Sequence, residues 1–118
     1  MLISVLKSKI HRATVTASEL EYEGSITIDT DLINAANLVA GEKVLVVNLN
    51  NGARVETYVL AGEAGSGTIC MNGAAAHHFS VKDKIIIMAF ALVDYAEGKD
   101  FEPRKIKVDK TNKVEKFI

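Results

Sequence analysis

Apolar and polar residues alternate along most of this chain, which is the period of strands rather than of helices. Residues 10–16 alternate, and Ile26-Thr27-Ile28 does so briefly. Residues 43–49 and 53–60 flank Asn50-Asn51-Gly52. Asn-Gly between two apolar runs is the strongest short signal for a hairpin, because it tolerates the positive φ of a tight turn. Residues 68–71 and 84–95 read as further strands, the second apolar enough to be buried on both faces. A short helix is predicted over 31–37, capped by Asp29 or Thr30, with Leu32, Ile33 and Ala36 on its apolar side. A second helical turn is expected over 74–78. From Gly98 onward the chain is densely charged, with an edge strand expected at about 105–108 and a frayed end after it. Short strands with short connections point to a closed barrel, which leaves no edge unpaired. The expectation is a mainly β fold with one or two short helices. Residues 1–95 would form the domain and 96–118 a charged tail.

Composition then removes whole classes of function. At 118 residues, 48% of them hydrophobic, the chain is one domain with a core, not a disordered segment. Its 14 basic and 15 acidic residues leave a net charge of −1, which offers no footprint for nucleic acid or an anionic membrane. The segment Met1-Leu2-Ile3-Ser4-Val5-Leu6-Lys7 is charged too soon for a signal peptide. The longest apolar run, 85–93, is about half of a membrane span. Cys70 is the only cysteine, so no disulfide framework exists and a reducing cytoplasm is the expected location. In its strand-like run Cys70 reads as a small buried hydrophobe.

Few segments carry chemistry. Gly62 to Gly67 is glycine-rich, but no Gly-Lys-Ser/Thr follows, so it reads as a loop and not a phosphate cradle. His77 and His78 are adjacent and lack partners at ligand spacing, so no metal is expected. Asn72-Gly73-Ala74-Ala75-Ala76 is either a plain turn or a stretch of bare backbone that a ligand can approach. Gly24-Ser25 stands in a polar break between apolar stretches. It is either a turn or a self-cleaving bond. Ser25 can add to the Gly24 carbonyl through a five-membered ring, and Gly24 can hold a strained dihedral. β-Elimination and hydrolysis would then leave a pyruvoyl group.

Lys9-x-His11-Arg12, Tyr22-Glu23-Gly24-Ser25, Arg54-x-x-Thr57-Tyr58 and Asn72-Gly73-Ala74-Ala75-Ala76 follow one another in this order. Together they resemble the pyruvoyl-dependent aspartate 1-decarboxylase family over about residues 1–95. The resemblance implies a double-psi β-barrel, a homotetramer with active sites between subunits, and a proenzyme cleaved at Gly24-Ser25. It implies conversion of L-aspartate to β-alanine for pantothenate, without metal or pyridoxal phosphate. Ser25 would become the pyruvoyl group that forms a Schiff base with substrate, and Gly24 the end of the short chain. Thr57 would polarise the Gly24 carbonyl and later touch substrate, and Asn72 would sit beside the cleavage site. Tyr58 would donate the proton. Arg54 and Lys9 would hold substrate carboxylate, and the backbone of Gly73, Ala74 and Ala75 would contact substrate. His11 and Tyr22 would line the pocket.

The residue types suit that chemistry. An amino acid that loses carbon dioxide needs an electron sink, which a pyruvoyl group supplies. A bidentate arginine on the side-chain carboxylate would fix which carboxylate leaves. Two other readings stand beside this one. In the first, the chain is a non-catalytic assembly module, with Arg54 on a solvated face opposite Asn48 or Leu49 and Tyr58 an ordinary strand aromatic. In the second, the pyruvoyl group acts on another amino acid.

Overall fold

Nine strands, two short α-helices and a 3₁₀ helix succeed one another in the computed structural model, which describes residues 1–118. The strands are β1 (Leu2–Thr14), β2 (Ala17–Glu19), β3 (Ser25–Asp29), β4 (Lys43–Asn48), β5 (Arg54–Gly62), β6 (Ile69–Asn72), β7 (Lys84–Asp94), β8 (Arg104–Val108) and β9 (Val114–Phe117). Helix α1 spans Thr30–Ala35, the 3₁₀ helix Gly73–His78 and α2 Tyr95–Gly98. The strands form one ladder in the order β2-β6-β3-β5-β4-β7-β1-β8-β9. Pairs β3–β5, β2–β6 and β1–β8 are parallel.

The ladder is open in its order, yet one segment occupies two places in it. β1 runs into β2 through Val15 and Thr16. The Val15 N–H donates to Asp83 O at 2.9 Å, and the Thr16 N–H to Ile69 O at 2.8 Å. The same stretch therefore borders β7 on one side and β6 on the other. Inward side chains from almost every strand make a single cluster of 21 buried residues, including Ile10, Ile26, Ile28, Val44, Val59, Ile69, Met71, Phe79, Ile85 and Ile106.

The mainly β expectation holds, with several local differences. β1 begins at Leu2, eight residues earlier than its alternation indicates, and bulges at Leu6/Ser8 and His11/Ala13 interrupt it. At the second bulge Arg12 takes a φ of +66°. β7 is not buried on both faces: Ile85, Ile87 and Ala89 are in the core while Phe90 and Leu92 are exposed. Its last expected residue, Tyr95, instead starts α2, a third short helix. Arg54 faces Val47, not Asn48 or Leu49. β8 is not an edge strand, since it lies between β1 and β9. β9 takes the edge where a frayed end was expected. Asn112 explains how this end is held. Its side chain accepts from Thr14 N–H at 2.8 Å and donates to Thr14 O and Gly67 O, each at 2.8 Å.

Asp29 is the cap of α1 and also a fastener. Its carboxylate accepts from the N–H groups of Asp31 (2.8 Å), Gly65 (3.0 Å) and Gly67 (2.7 Å). The glycine-rich loop thus spends two amides on Asp29. Burial pushes the Asp29 carboxyl up, but these three amides and Lys113 outweigh it and hold it below the usual carboxylate range. Asp29 therefore adds stability that is complete above about pH 4, the unfolded value, and is lost as pH falls through the lower folded value. Asp29→Asn is expected to cost about 1–3 kcal/mol at neutral pH. That deficit should shrink in acid, as measured by denaturant unfolding across pH.

Candidate active site

Residues opposite one another in an antiparallel pair share a face, and so do residues two apart on a strand. β3 and β6 pair with Ser25 opposite Asn72 and Thr27 opposite Cys70. Their alternates Ile26, Ile28, Ile69 and Met71 enter the core. The other face therefore carries a square of four small polar side chains. Ser25, Cys70 and Asn72 are buried there, and Thr27 is half-buried. Asn72 Nδ2 donates to Ser25 Oγ at 3.0 Å and to Thr27 Oγ1 at 3.1 Å. The Ser25 hydroxyl donates to the Glu23 carbonyl at 3.0 Å. Neither of its two partners is a carboxylate, an imidazole or an amine.

Gly73 follows Asn72 and opens the 3₁₀ helix at a φ of +79°. A Cβ on Gly73 would lie 2.7 Å from Gly24 Cα, 2.9 Å from Gly24 N and 3.1 Å from Tyr22 O. The start of the 3₁₀ helix thus lies directly against the residue before Ser25, an approach that only glycine permits. Gly24 itself is different from the expectation. Its φ is outside the left-handed region, and a Cβ there would meet open space. The glycine of this site that takes a left-handed φ is Gly73.

On the neighbouring strand, β3 and β5 run in parallel with Ile26 opposite Val59. Carried back two residues, that register sets Tyr58 level with Ser25 and Thr57 level with Gly24. Both are half-buried and line an open depression with Lys43 and Glu56. Arg54 is exposed at the start of β5. Lys9 and His11 lie on β1, separated from β3 in the ladder by β5, β4 and β7. Neither Lys9 nor Arg54 is in an ion pair; the two pairs present are Lys7–Glu42 and Lys43–Glu56. His11 Nδ1 is buried without a partner. Burial first, then Lys9, Arg12 and Lys107, push its pKa down, so the ring is neutral at pH 7. Tyr22 and Ala74 are exposed and Ala75 is half-buried. One chain therefore brings Gly24, Ser25, Asn72 and Gly73 into contact. It sets Thr57 and Tyr58 on the adjacent strand by extension of the β3–β5 register, and leaves Lys9 and His11 on a strand farther along the ladder. Thr27 and Cys70 belong to the square and were missed. The signal for them is the shared pattern Ser25-x-Thr27 and Cys70-x-Asn72, polar positions alternating with core residues.

The chain matches the aspartate decarboxylase family over residues 1–115, which takes in most of the charged tail. It belongs to that family of enzymes. Similar proteins named aspartate 1-decarboxylase include one from Caldicellulosiruptor saccharolyticus, 60% identical over 99% of this chain and 91% of that protein. Another, from Parabacteroides distasonis, is 56% identical over 97% of this chain and 99% of its own. A third, from Corynebacterium efficiens, is 54% identical over 97% and 84%. Membership removes the assembly-module reading. No helix in the chain is long and apolar enough to cross a membrane.

Proposed function

We propose that this chain cleaves itself between Gly24 and Ser25 and then decarboxylates L-aspartate to β-alanine, a cytoplasmic step that supplies pantothenate. One observation supports it above the others: the Ser25 hydroxyl is buried against an amide donor while Gly73 fixes Gly24 beside it. In the first step the Ser25 Oγ–Gly24 C bond forms and the C–N bond breaks, leaving an ester and a free amine. The Ser25 Cα then loses its proton as the Cβ–Oγ bond breaks, and Gly24 departs as a carboxylate. Addition of one water and loss of ammonia leave the pyruvoyl group. Its ketone and adjacent amide carbonyl supply the electron sink for loss of carbon dioxide. The site fits that group, because Ser25, the residue that would become it, is already enclosed.

The protein's own side chains supply the rest. Thr57, level with the Gly24 carbonyl, stabilises the oxyanion of the first step. Tyr58, level with Ser25, delivers the proton to the carbon that has lost its carboxylate. Arg54 and Lys9 lack acidic partners and so are free to bind substrate carboxylate. Along the ladder three strands, β5, β4 and β7, stand between Lys9 on β1 and Ser25 on β3, which suits a site completed by another copy in a homotetramer. The backbone of Gly73 to Ala75 contacts substrate, and His11 and Tyr22 border the pocket.

Denaturing mass spectrometry tests the reading, with β-alanine release assayed on the same sample. Two fragments are expected, the larger with a blocked, ketone-reactive N-terminus. An intact, inactive chain would refute the proposal. Gly73→Ala is expected to fold less stably by about 1–3 kcal/mol, because a methyl is forced into packed backbone. It should also cleave about 10²-fold more slowly, the scale for an ångström of misplacement at a reacting group. The fragment time course measures both expectations when paired with thermal unfolding.

A further inference from the structure

The Asn72 carboxamide fits its place on β6 in two orientations, related by a half-turn. They have nearly the same shape, so hydrogen-bond partners alone distinguish them. Ser25 gives its one proton to Glu23 O, so toward Asn72 it offers only a lone pair. That calls for the NH2 group, which lies 3.0 Å away. Thr27 Oγ1 takes the second hydrogen of the same nitrogen at 3.1 Å. On the opposite side Cys70 Sγ lies 3.2 Å from Asn72 Oδ1, nearer than its 3.9 Å approach to Met71 O. Burial, with the charge of Glu19 adding to it, pushes the Cys70 thiol up in pKa, so it stays protonated and able to donate.

We propose that Cys70 and Thr27 are positioning residues for chain cleavage: the thiol holds Oδ1, Thr27 takes one Nδ2 hydrogen, and the other is left aimed at Ser25 Oγ. The proposal rests on the self-cleavage reading of Gly24-Ser25. During that reaction Oγ passes from hydroxyl to ester, and then to carboxylate as the Cβ–Oγ bond breaks. It gathers negative charge in the last step, and a donor already aimed at it stabilises that charge without reorganisation. A flipped amide would set the lone pairs of Oδ1 against the same oxygen. Serine at position 70 keeps a donor there, and valine removes it while remaining apolar and β-branched, as a strand prefers.

The test tracks fragment formation by denaturing mass spectrometry after cell-free synthesis of the full chain, with thermal unfolding of each uncleaved chain. Cys70→Val and Thr27→Val are each expected to cleave about three- to tenfold more slowly, the rate equivalent of one hydrogen bond. Cys70→Ser should return to within about twofold of the unaltered chain. Adding Cys70→Val to Asn72→Ala should slow cleavage no further than Asn72→Ala alone, because the thiol acts only through that amide. Unaltered rates in both Cys70→Val and Thr27→Val overturn the proposal, as does slowing that multiplies in the double variant. A purely structural role for Cys70 would multiply in that way. Should Cys70→Val not fold, Thr27→Val at its half-buried position decides. Absence of fragments from the unaltered chain would overturn the cleavage reading as well, which separates the two failures.

Discussion

Ser25→Ala is expected to give a folded, full-length chain that forms no fragments and releases no β-alanine. The substitution removes one oxygen from the polar square and leaves the core side of β3, Ile26 and Ile28, untouched. It leaves one Asn72 hydrogen unpaired, a cost of about 1–3 kcal/mol. That is too small to unfold a typical domain, whose stability is about 5–15 kcal/mol. Cleavage, in contrast, loses its nucleophile outright, because the residue after Gly24 then has nothing to add to the carbonyl. The loss is therefore complete and not a matter of degree. Intact mass, unfolding temperature and β-alanine release on one preparation check all three statements. Any decarboxylation by Ser25→Ala would remove Ser25 from the chemistry.

Tyr58→Phe separates making the catalyst from using it. Tyr58 is half-buried beside an open depression, level with Ser25 along the β3–β5 register. Cleavage calls on Ser25, the Gly24 carbonyl and the donors around them. In the proposed reaction the phenol enters only after carbon dioxide has left. Tyr58→Phe should therefore yield both fragments in normal amount, while turnover falls by about 10²–10⁴, the span for a lost general acid. Phenylalanine keeps the ring, so packing against β4 is preserved. Near-normal turnover would assign the proton to another group, and failure to cleave would place Tyr58 earlier in the sequence of events.

What the sequence discloses depends on whether a contact is local. The β4–β5 hairpin is legible because Asn51-Gly52 supplies the turn and Gly52 adopts its positive φ, +76°. The Asp29 cap is legible for the same reason, since its first partner is two residues away. β9 is not, because all four of its residues are exposed and no buried face imposes alternation. Nor is the hold of Asn112 on Thr14, across 98 residues. The early half of β1 is only partly covered, which blurs its period. At the candidate site Gly24, Ser25, Asn72 and Gly73 stand out as unusual residue types. Cys70 and Thr27 do not, because their meaning lies in the register of β3 against β6.

A cut at the Gly24-Ser25 bond leaves two pieces that remain interleaved. Ser25 is the first residue of β3, a strand paired on one side with β5 and on the other with β6. Upstream, the short fragment carries β1, flanked by β7 and β8, with Ile10, Ala13 and Val15 in the core. Cutting the backbone between them severs a connection without removing a layer. Each copy would then be a pair of chains, the shorter serving as an inner strand of the longer. Cohesion of the cut protein would obey mass action between its two pieces as well as between copies, so its melting temperature would rise more steeply with concentration than that of the uncut chain.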